Sequence, residues 1–346
     1  MVESKHQWKA WLYLSPAIVL LLVFTVWPIF NTVRMAFLNG YSPLQAVNGA
    51  HFEFGVQNFA KVIQYKKFLQ CLKNTALLCV TTVPLSTILA LLIAVALNSI
   101  KPLRRTLQTI FFLPYVTNSI AIGMVFAAMF NIIGLRSNGV TADSLGIVNN
   151  VLMGLGLDDL NIWFTEWITN VFHLCGAEPW PWLIKFLASI CPPINWINSG
   201  SGYGANITVM IVYIVWNALP FKILILLGGL QSINKQYYDA ARVDSTPRSR
   251  VLTRITVPLL SPMIAYVVIT GFIGGFKEYS SIVGIFGEKM GPAGDAGRLN
   301  TMVGFIYDAM SSNNLGRASA AALILFGIIL VVTLINGWVS KKRVHF

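Results

Sequence analysis

Charged residues are scarce in this sequence. Asp, Glu, Lys and Arg make up 11% of its 346 residues, whereas soluble globular domains carry about 25%. Hydrophobic residues make up 55% of the chain. This balance argues against a soluble globular domain and indicates that the solvent for much of the chain is lipid.

Residues with catalytic or metal-binding chemistry are also few. The four cysteines, Cys71, Cys79, Cys175 and Cys191, show no metal-ligand spacing, and the four histidines are scattered. No Ser/His/Asp or paired-carboxylate cluster is evident. We therefore predict no catalytic site, no metal site and no cofactor. Cys175 and Cys191 fall in one predicted outer loop, where they either pair or stay free thiols.

Long apolar runs predict six membrane-spanning helices, because a span needs roughly 20 mostly apolar residues with internally satisfied backbone hydrogen bonds. The prolines within these runs are compatible with helices that pack in a bundle. The predicted fold class is therefore an all-α membrane protein. The runs cover about 11–30, 75–97, 110–133, 207–230, 259–276 (ending there or continuing to 286) and 318–339.

The net charge of +12 is compatible with a nucleic-acid partner, but the basic residues lie at the edges of the apolar runs, where they set membrane orientation. With six spans, both termini and the loops after spans two and four share one side, and these short segments are rich in Lys and Arg. We therefore predict that both termini are cytoplasmic and that no nucleic acid is bound. Lys61, Lys66, Lys67 and Lys73 lie outside in this arrangement and oppose it.

The polar segment 234–258, between the fourth and fifth runs, is predicted to be a cytoplasmic loop of two short helices. Residues 234–241 are compatible with a helix. The sequence DSTP at 244–247 predicts a turn, because Asp, Ser and Thr cap helices and Pro fits a first helical turn. A second helix is expected to reach about Thr256, and Pro258 marks the start of the fifth span. Composition alone is equally compatible with an ordinary basic loop.

The order of residues in this loop resembles the cytoplasmic signature of the permease subunits of binding-protein-dependent ABC importers. That signature reads Glu-Ala-Ala, three residues, Gly, and later Ile-x-x-Pro. The matching positions are Asp239, Ala240, Ala241, Ser245, Ile255 and Pro258. Asp239 replaces the family Glu, and Ser245 replaces the family Gly. A positive φ at position 245 would strain the serine. The likeness to the carbohydrate-importing, maltose-permease-like branch extends over most of the chain apart from about 161–193.

The resemblance implies a helical bundle of the type I ABC importer permease kind in the bacterial inner membrane. Implied partners are two ATPase subunits, a second permease subunit in a heterodimer, an extracellular solute-binding protein that delivers a carbohydrate, and membrane lipid. Asp239 would anchor the loop in an ATPase cleft, Ala240 and Ala241 would permit close approach, and Ser245 would set the turn. The chain has no G-x-x-x-x-G-K-[ST] phosphate loop, and glycine-rich 291–297 lacks its Lys, so ATP hydrolysis is expected elsewhere.

Polar side chains near the apolar runs are candidates for the solute pathway. The candidates are Asn118, Asn217, Lys277, Glu278 and Tyr279. The alternatives are an ion pair between Lys277 and Glu278 and interhelical hydrogen bonds from the two asparagines. Lys222 is interpreted as extending its ammonium group to the cytoplasmic edge.

The segment 161–193 carries four tryptophans and four prolines in apolar pieces too short to span. Trp-rich segments favour the membrane interface, so we expect an interfacial or packing role, or else docking of the binding protein.

Two other functions are compatible with a polytopic chain. An ion-coupled secondary transporter would typically show inverted repeats and interrupted helices with ion-binding groups, and neither is clear here. An intramembrane enzyme would need the catalytic cluster that the sequence lacks.

Overall fold

The computed structural model describes residues 7–100, 104–132, 146–157, 163, 166, 167, 169 and 194–343. Across these ranges the regular secondary structure is helical, and the one β feature is an isolated bridge between Leu38 and Phe54. The α-helices are α1 Gln7–Leu21, α2 Trp27–Phe37, α3 Pro43–Val47, α4 Gln57–Gln64, α5 Lys66–Ser99, α6 Arg104–Val116, α7 Ser119–Phe130, α8 Gly146–Gly154, α9 Tyr203–Ser232, α10 Lys235–Val243, α11 Arg248–Val251, α12 Val257–Leu259, α13 Ser261–Phe276, α14 Ser280–Phe286, α15 Met302–Ser311 and α16 Leu315–Arg343. Two π-helical turns, Leu22–Val26 and Leu252–Thr256, join α1 to α2 and α11 to α12.

Four helices are long and apolar enough to cross a membrane. They have 27 to 34 residues, and 27 residues extend about 40 Å against a hydrocarbon core of about 30 Å. They confirm the first, second, fourth and sixth predicted apolar runs as helices, each longer than predicted. These spans are Trp11–Phe37, Lys66–Ser99, Tyr203–Ser232 and Leu315–Lys341.

The third apolar run is not one helix, which corrects the prediction for 110–133. It is divided into α6 and α7 at Thr117 and Asn118. Asn118 has extended backbone geometry, and its side chain accepts a hydrogen bond from the Ile120 amide at 2.8 Å. A side-chain cap of this kind starts a new helix and replaces the hydrogen bond that a continuous helix would supply.

The fifth apolar run also departs from a single span. Of the two ends left open for this run, Phe276 is confirmed because α13 ends there, and the continuation to Phe286 is wrong because α14 is a separate helix. Arg248–Leu259 and Ser261–Phe276 meet at a bend of 70°. Pro262 has no amide hydrogen, so it cannot continue the helical ladder across this bend. The described residues contain four long apolar helices, or five if the bent pair counts as one span.

The chain divides into two units, one of them formed by Met1–Lys73 and Thr301–Val332. Its local framework depends on Asn58, which is 2% exposed. The Asn58 amide donates to the carbonyls of Ala36 (3.0 Å) and Leu38 (2.7 Å) and accepts from the Gly40 amide (3.0 Å). Gly316 at the start of α16 approaches so closely that a Cβ there would lie 2.9 Å from Asn58 Nδ2.

The other unit comprises Asn74–Asn300 and Thr333–Phe346. One core packs Met210 and Tyr213 of α9 with Ile282 of α14, and another packs α9 against α5 and α13. Helices α7 and α14 meet at backbone contact, because a Cβ on Gly123 would lie 2.7 Å from the Gly284 Cα. Small residues permit such close approach between membrane helices. This contact fixes α14, which begins two residues after Glu278.

Candidate functional site

The segment 234–258 is folded rather than irregular. The Asn234 side chain caps α10 by accepting a hydrogen bond from the Gln236 amide at 3.0 Å. Ala241 is buried at 6% exposure, whereas Asp239 and Ala240 are exposed. The predicted helix at 234–241 is confirmed and continues to Val243. Helical structure resumes at Arg248, beyond the predicted turn.

The turn after α10 is a Schellman motif centred on Ser245. The Ser245 amide donates to the Arg242 carbonyl at 3.0 Å, and the Thr246 amide donates to the Ala241 carbonyl at 2.9 Å. Ser245 has a φ of 51°. This position of the motif is usually glycine, because a residue with a Cβ is strained in left-handed geometry. The condition under which Ser245 would be strained, a positive φ at the family glycine position, is therefore met.

A side-chain contact that the sequence did not reveal connects the two ends of the segment. The Tyr238 hydroxyl lies 3.3 Å from the Thr256 hydroxyl, and Thr256 is 4% exposed. Ile255 and Pro258 flank this buried threonine and are half-buried. The contact joins α10 to the π-helical turn and limits their independent movement.

The exposed face of α10 combines apolar and charged groups. Tyr237 is 54% exposed and Val243 is 85% exposed, and they lie near Ala240 at helical spacing. Asp239 and Arg242 form an ion pair at 3.6 Å with both side chains mostly exposed. An exposed pair of this kind adds little stability, so these residues are available to a partner surface.

A cavity of about 350 Å³ lies among the helices of the unit that includes α5, α6, α9 and α13. We call it the central cavity. Its volume is at the small end of the range for small-molecule sites, roughly 300–1,000 Å³. Aromatic rings of Tyr115 and Phe221 stack at its wall with centroids 6.0 Å apart. It is lined by Thr82, Val83, Ser86, Tyr115, Ile214, Asn217, Ala218, Phe221, Lys222, Thr270, Gly271, Gly274, Gly275 and Glu278.

Lys222 is buried at the wall of the central cavity, and its interpretation as a residue that extends to the membrane edge is wrong. The side chain is 4% exposed. Its Nζ donates to the Val83 carbonyl (3.2 Å), the Ser86 hydroxyl (2.7 Å) and the Thr87 hydroxyl (3.0 Å). A buried ammonium group must find acceptors, and three on α5 use all its donors. Gly271 provides the space that the ammonium group of Lys222 occupies, since a Cβ at this position would lie 3.2 Å from the Nζ.

Two of the five candidate pathway residues line the central cavity. Asn217 lies on α9, and Glu278 follows α13 and accepts a hydrogen bond from the Ser281 amide at 3.2 Å. The other three lie elsewhere: Asn118 caps α7, Lys277 is exposed, and Tyr279 packs against a hydrophobic core. The hydroxyls of Thr82 and Ser86 were missed, although a spacing of one helical turn within an apolar run places them on one face.

Metal binding finds no support in the residues that the structure describes, where no group of three or more His, Cys, Asp or Glu side chains could hold an ion. Cys71 and Cys79 are buried, and neither forms a disulfide within the described residues. Cys175 and Cys191 lie outside the described residues. Most of the 161–193 segment also lies outside them, and its described tryptophans, Trp163 and Trp167, are 62% and 50% exposed.

Residues 83–345 match the model of a protein family described as "Binding-protein-dependent transport system inner membrane component". Curated relatives with similar sequences include the lactose transport system permease protein LacF of Rhizobium radiobacter. It is 26% identical over 331 residues, covering 95% of this chain and 91% of that protein. The arabinooligosaccharides transport system permease protein AraP of Bacillus subtilis is 26% identical over 329 residues, covering 94% and 86%.

Solved structures with the same fold include a crystal structure of a bacterial ABC transporter involved in the import of the acidic polysaccharide alginate. The matched chain gives a TM-score of 0.69 at 20% sequence identity, with 98% of this chain and 96% of that chain covered. A structure of the alginate transporter in complex with its pentasaccharide-bound periplasmic protein gives a TM-score of 0.68 at 21% identity, with the same coverage.

Proposed function

The chain belongs to the family of binding-protein-dependent transport system inner membrane components, and from this premise we propose the solute, the partners and the orientation of this permease subunit. It is an all-α membrane protein with the fold of ABC importer permeases. The solute is a carbohydrate. Relatives named for lactose and arabinooligosaccharide transport support this proposal.

The chemistry of the central cavity is the observation that carries the carbohydrate proposal. Sugar rings present apolar C–H faces and a rim of hydroxyl groups, so their sites combine aromatic rings with a few placed polar groups. The stacked Tyr115 and Phe221 rings offer the apolar face. Asn217, Glu278 and the hydroxyl of Thr270 line the same cavity and can bind the rim.

Lys222 has a positioning role in this account. Because its three donors are used by α5, the ammonium group has none left for the solute. It holds α9 beside α5 and thereby fixes Asn217 and Phe221, which lie on the same helix. The groups that contact the solute are then the Asn217 amide, the Glu278 carboxylate, the Thr270 hydroxyl and the aromatic rings of Tyr115 and Phe221.

Segment 234–258 is the coupling segment that receives force from the ATPase subunits. A rigid element transmits a displacement, whereas a flexible loop absorbs it. The Schellman turn and the Tyr238–Thr256 contact favour rigidity. Asp239, Ala240 and Ala241 provide the docking helix, Ser245 sets the turn, and Ile255 and Pro258 lead towards α13.

The proposed assembly contains two ATPase subunits, a second permease subunit that forms a heterodimer with this chain, and an extracellular solute-binding protein. The sequence carries no phosphate-binding loop, so nucleotide is bound by the partner subunits. Both termini and the coupling segment are cytoplasmic, because Lys and Arg are concentrated there.

Reconstitution in liposomes tests the proposal. The chain is assembled with its ATPase subunits, second permease and binding protein, and uptake of radiolabelled mono- and oligosaccharides is measured with ATP inside. Uptake that requires both ATP and the binding protein is expected. Uptake driven by a proton or sodium gradient without ATP would contradict the proposal and indicate an ion-coupled secondary transporter.

Variants at the coupling segment extend this experiment. Ala240→Arg places a large cation on the exposed face of α10 and is expected to abolish ATP-driven uptake while membrane insertion persists. Ala50→Arg puts the same side chain at an exposed position of the other unit and should leave uptake unchanged. Normal uptake by Ala240→Arg would remove the docking role from α10.

A further inference from the structure

A second cavity, of about 300 Å³, lies within the unit formed by Met1–Lys73 and Thr301–Val332. Its lining includes two cations, Lys61 on α4 and Arg317 on α16, and no acidic side chain. The neutral side chains that share it are amides and the Tyr65 phenol. A cavity with two positive groups and no internal counter-charge attracts an anion. None of its lining residues lines the central cavity or belongs to the coupling segment.

The Arg317 guanidinium group is held in place but is not neutralised. Its central carbon lies 5.4 Å from the centroid of the Tyr65 ring. Its Nε is buried and has no hydrogen-bond partner among the described residues. Neither Arg317 nor Lys61 forms a salt bridge in that part of the chain. Buried donors are normally satisfied, so an orphaned guanidinium nitrogen beside a cavity indicates a missing acceptor.

Backbone groups at the start of α16 cannot provide the main contacts to an anion. The Gly316 amide donates to the Tyr41 carbonyl at 2.9 Å, and the Arg317 amide donates to the Asn314 side chain at 3.3 Å. The helix dipole still favours negative charge at this end. The hydrogen bonds to the ligand must therefore come from side chains, above all from Arg317.

The surroundings of Lys61 favour a position at a membrane surface. Two residues on from Lys61, Ile63 is 63% exposed, and Val56 at the start of α4 is 64% exposed. A short helix with exposed apolar residues and a lysine is typical of the interface between lipid headgroups and acyl chains. In the proposed orientation α16 starts on the outer side. Lys61 is one of the four lysines whose predicted outer position opposes the proposed orientation. An anionic ligand in this cavity would give Lys61 a partner on the outer side.

We propose that this cavity binds the phosphate group of a phosphate ester, with Arg317 as a bidentate donor and Lys61 as a second cation. The planar guanidinium fork matches two phosphate oxygens, and a lysine adds a point charge. The ester is supplied either by an anionic phospholipid headgroup or by a soluble phosphate ester.

Binding to the intact transporter, purified in detergent and stripped of lipid, tests this proposal. The probes are phosphatidylglycerol and glycerol 3-phosphate, and the readout is affinity from native mass spectrometry. Arg317→Gln is expected to weaken binding about tenfold or more, because it removes charge-assisted hydrogen bonds. Lys61→Gln is expected to weaken it about threefold, because Lys61 is exposed and screened.

Two further variants control for non-specific attraction and for loss of the guanidinium fork. Lys66→Gln removes an exposed lysine of the same unit that does not line the cavity, so its affinity should equal that of the wild type. Arg317→Lys keeps the charge but loses the fork, so its affinity should be intermediate.

The two probes separate the two sources of phosphate. Tight binding of phosphatidylglycerol alone indicates a lipid headgroup, and equal binding of glycerol 3-phosphate indicates a soluble ester. Equal affinity of both probes for wild type and Arg317→Gln would overturn the proposal. So would an equal loss of affinity in Lys66→Gln, since that would indicate attraction by surface charge alone.

Discussion

The ammonium group of Lys222 on α9 donates a hydrogen bond of 2.7 Å to the hydroxyl group of Ser86 on α5. Both residues line the central cavity. A hydrogen bond to a buried charge contributes more than a neutral one, because the charge has no water to replace the lost partner. The pair therefore fixes two of the helices that surround the proposed solute site.

Ser86→Ala is expected to lower the free energy of unfolding by about 1.5–3 kcal/mol, the range for a hydrogen bond to a charged group. Thermal unfolding of the purified chain in detergent measures the change. Ser99→Ala is the matched control, because Ser99 lies on the same helix, is exposed, and within the described ranges its hydroxyl bonds the Ala96 carbonyl of its own turn and no other group. Equal stability of the two variants would contradict a role for Ser86 in holding Lys222.

Glu278→Gln tests the solute contact at the central cavity. The substitution keeps the size of the side chain and removes the negative charge, so a hydrogen bond from a sugar hydroxyl to a carboxylate is replaced by a weaker one. We expect kcat/KM for uptake to fall about tenfold. Glu288→Gln, at an exposed position, should leave uptake unchanged. Unaltered uptake by Glu278→Gln would remove the carboxylate from the proposed pathway.

Ser245→Gly is expected to stabilise the coupling segment. Left-handed geometry disfavours a residue with a Cβ by about 1–2 kcal/mol, and glycine relieves this strain. Hydrogen–deuterium exchange of the Ser245 and Thr246 amides should slow about fivefold or more, because both are bonded within the Schellman turn.

Ser249→Gly is the control variant, for which we expect the opposite effect on the stability of the segment. Ser249 lies inside α11, where glycine lowers helix stability by about 0.5–1 kcal/mol. Exchange of the α11 amides should therefore become faster. Slower exchange in both variants would show that flexibility elsewhere, rather than the φ of Ser245, determines the stability of this segment.

Tyr238→Phe tests whether the coupling segment acts as a rigid body. The variant removes the contact to Thr256, a loss of about 0.5–1.5 kcal/mol. We expect less stimulation of ATPase activity by the loaded binding protein, with basal ATPase activity retained. In Tyr237→Phe the lost hydroxyl belongs to an exposed ring on the same helix, for which the described residues show no hydrogen bond. Equal stimulation in both variants would count against rigidity as the basis of coupling.

Local composition predicted the long helices well, because a long apolar run in lipid must form its backbone hydrogen bonds internally, as a helix does. Residues 207–230 illustrate this, since the run coincides with the middle of α9. The break before α7 was not predictable from apolar content, since it depends on Asn118 accepting the Ile120 amide rather than continuing the helix. A hydropathy value averaged over a run of residues does not reveal the effect of one asparagine on the helix.

Long-range partners explain the remaining differences. Lys222 looks like a residue at a membrane edge when its helix is read alone, and only the packing of α5 against α9 supplies its three acceptors. The Tyr238–Thr256 contact spans 18 residues and carries no local pattern. The turn at Ser245 was predictable because turn signals are local, whereas its positive φ was only a condition raised by the family glycine and is established by the structure.

The position of Ala240 relative to the membrane and to the ATPase tests the account most directly. Ala240→Cys in sealed vesicles is treated with a membrane-impermeant maleimide, and the modified peptide is identified by mass spectrometry, which distinguishes it from the four native cysteines. The account predicts labelling in inside-out vesicles stripped of ATPase subunits, none in right-side-out vesicles, and protection once the ATPase subunits are bound. Labelling from the outer side, or equal labelling with and without bound ATPase subunits, would contradict it.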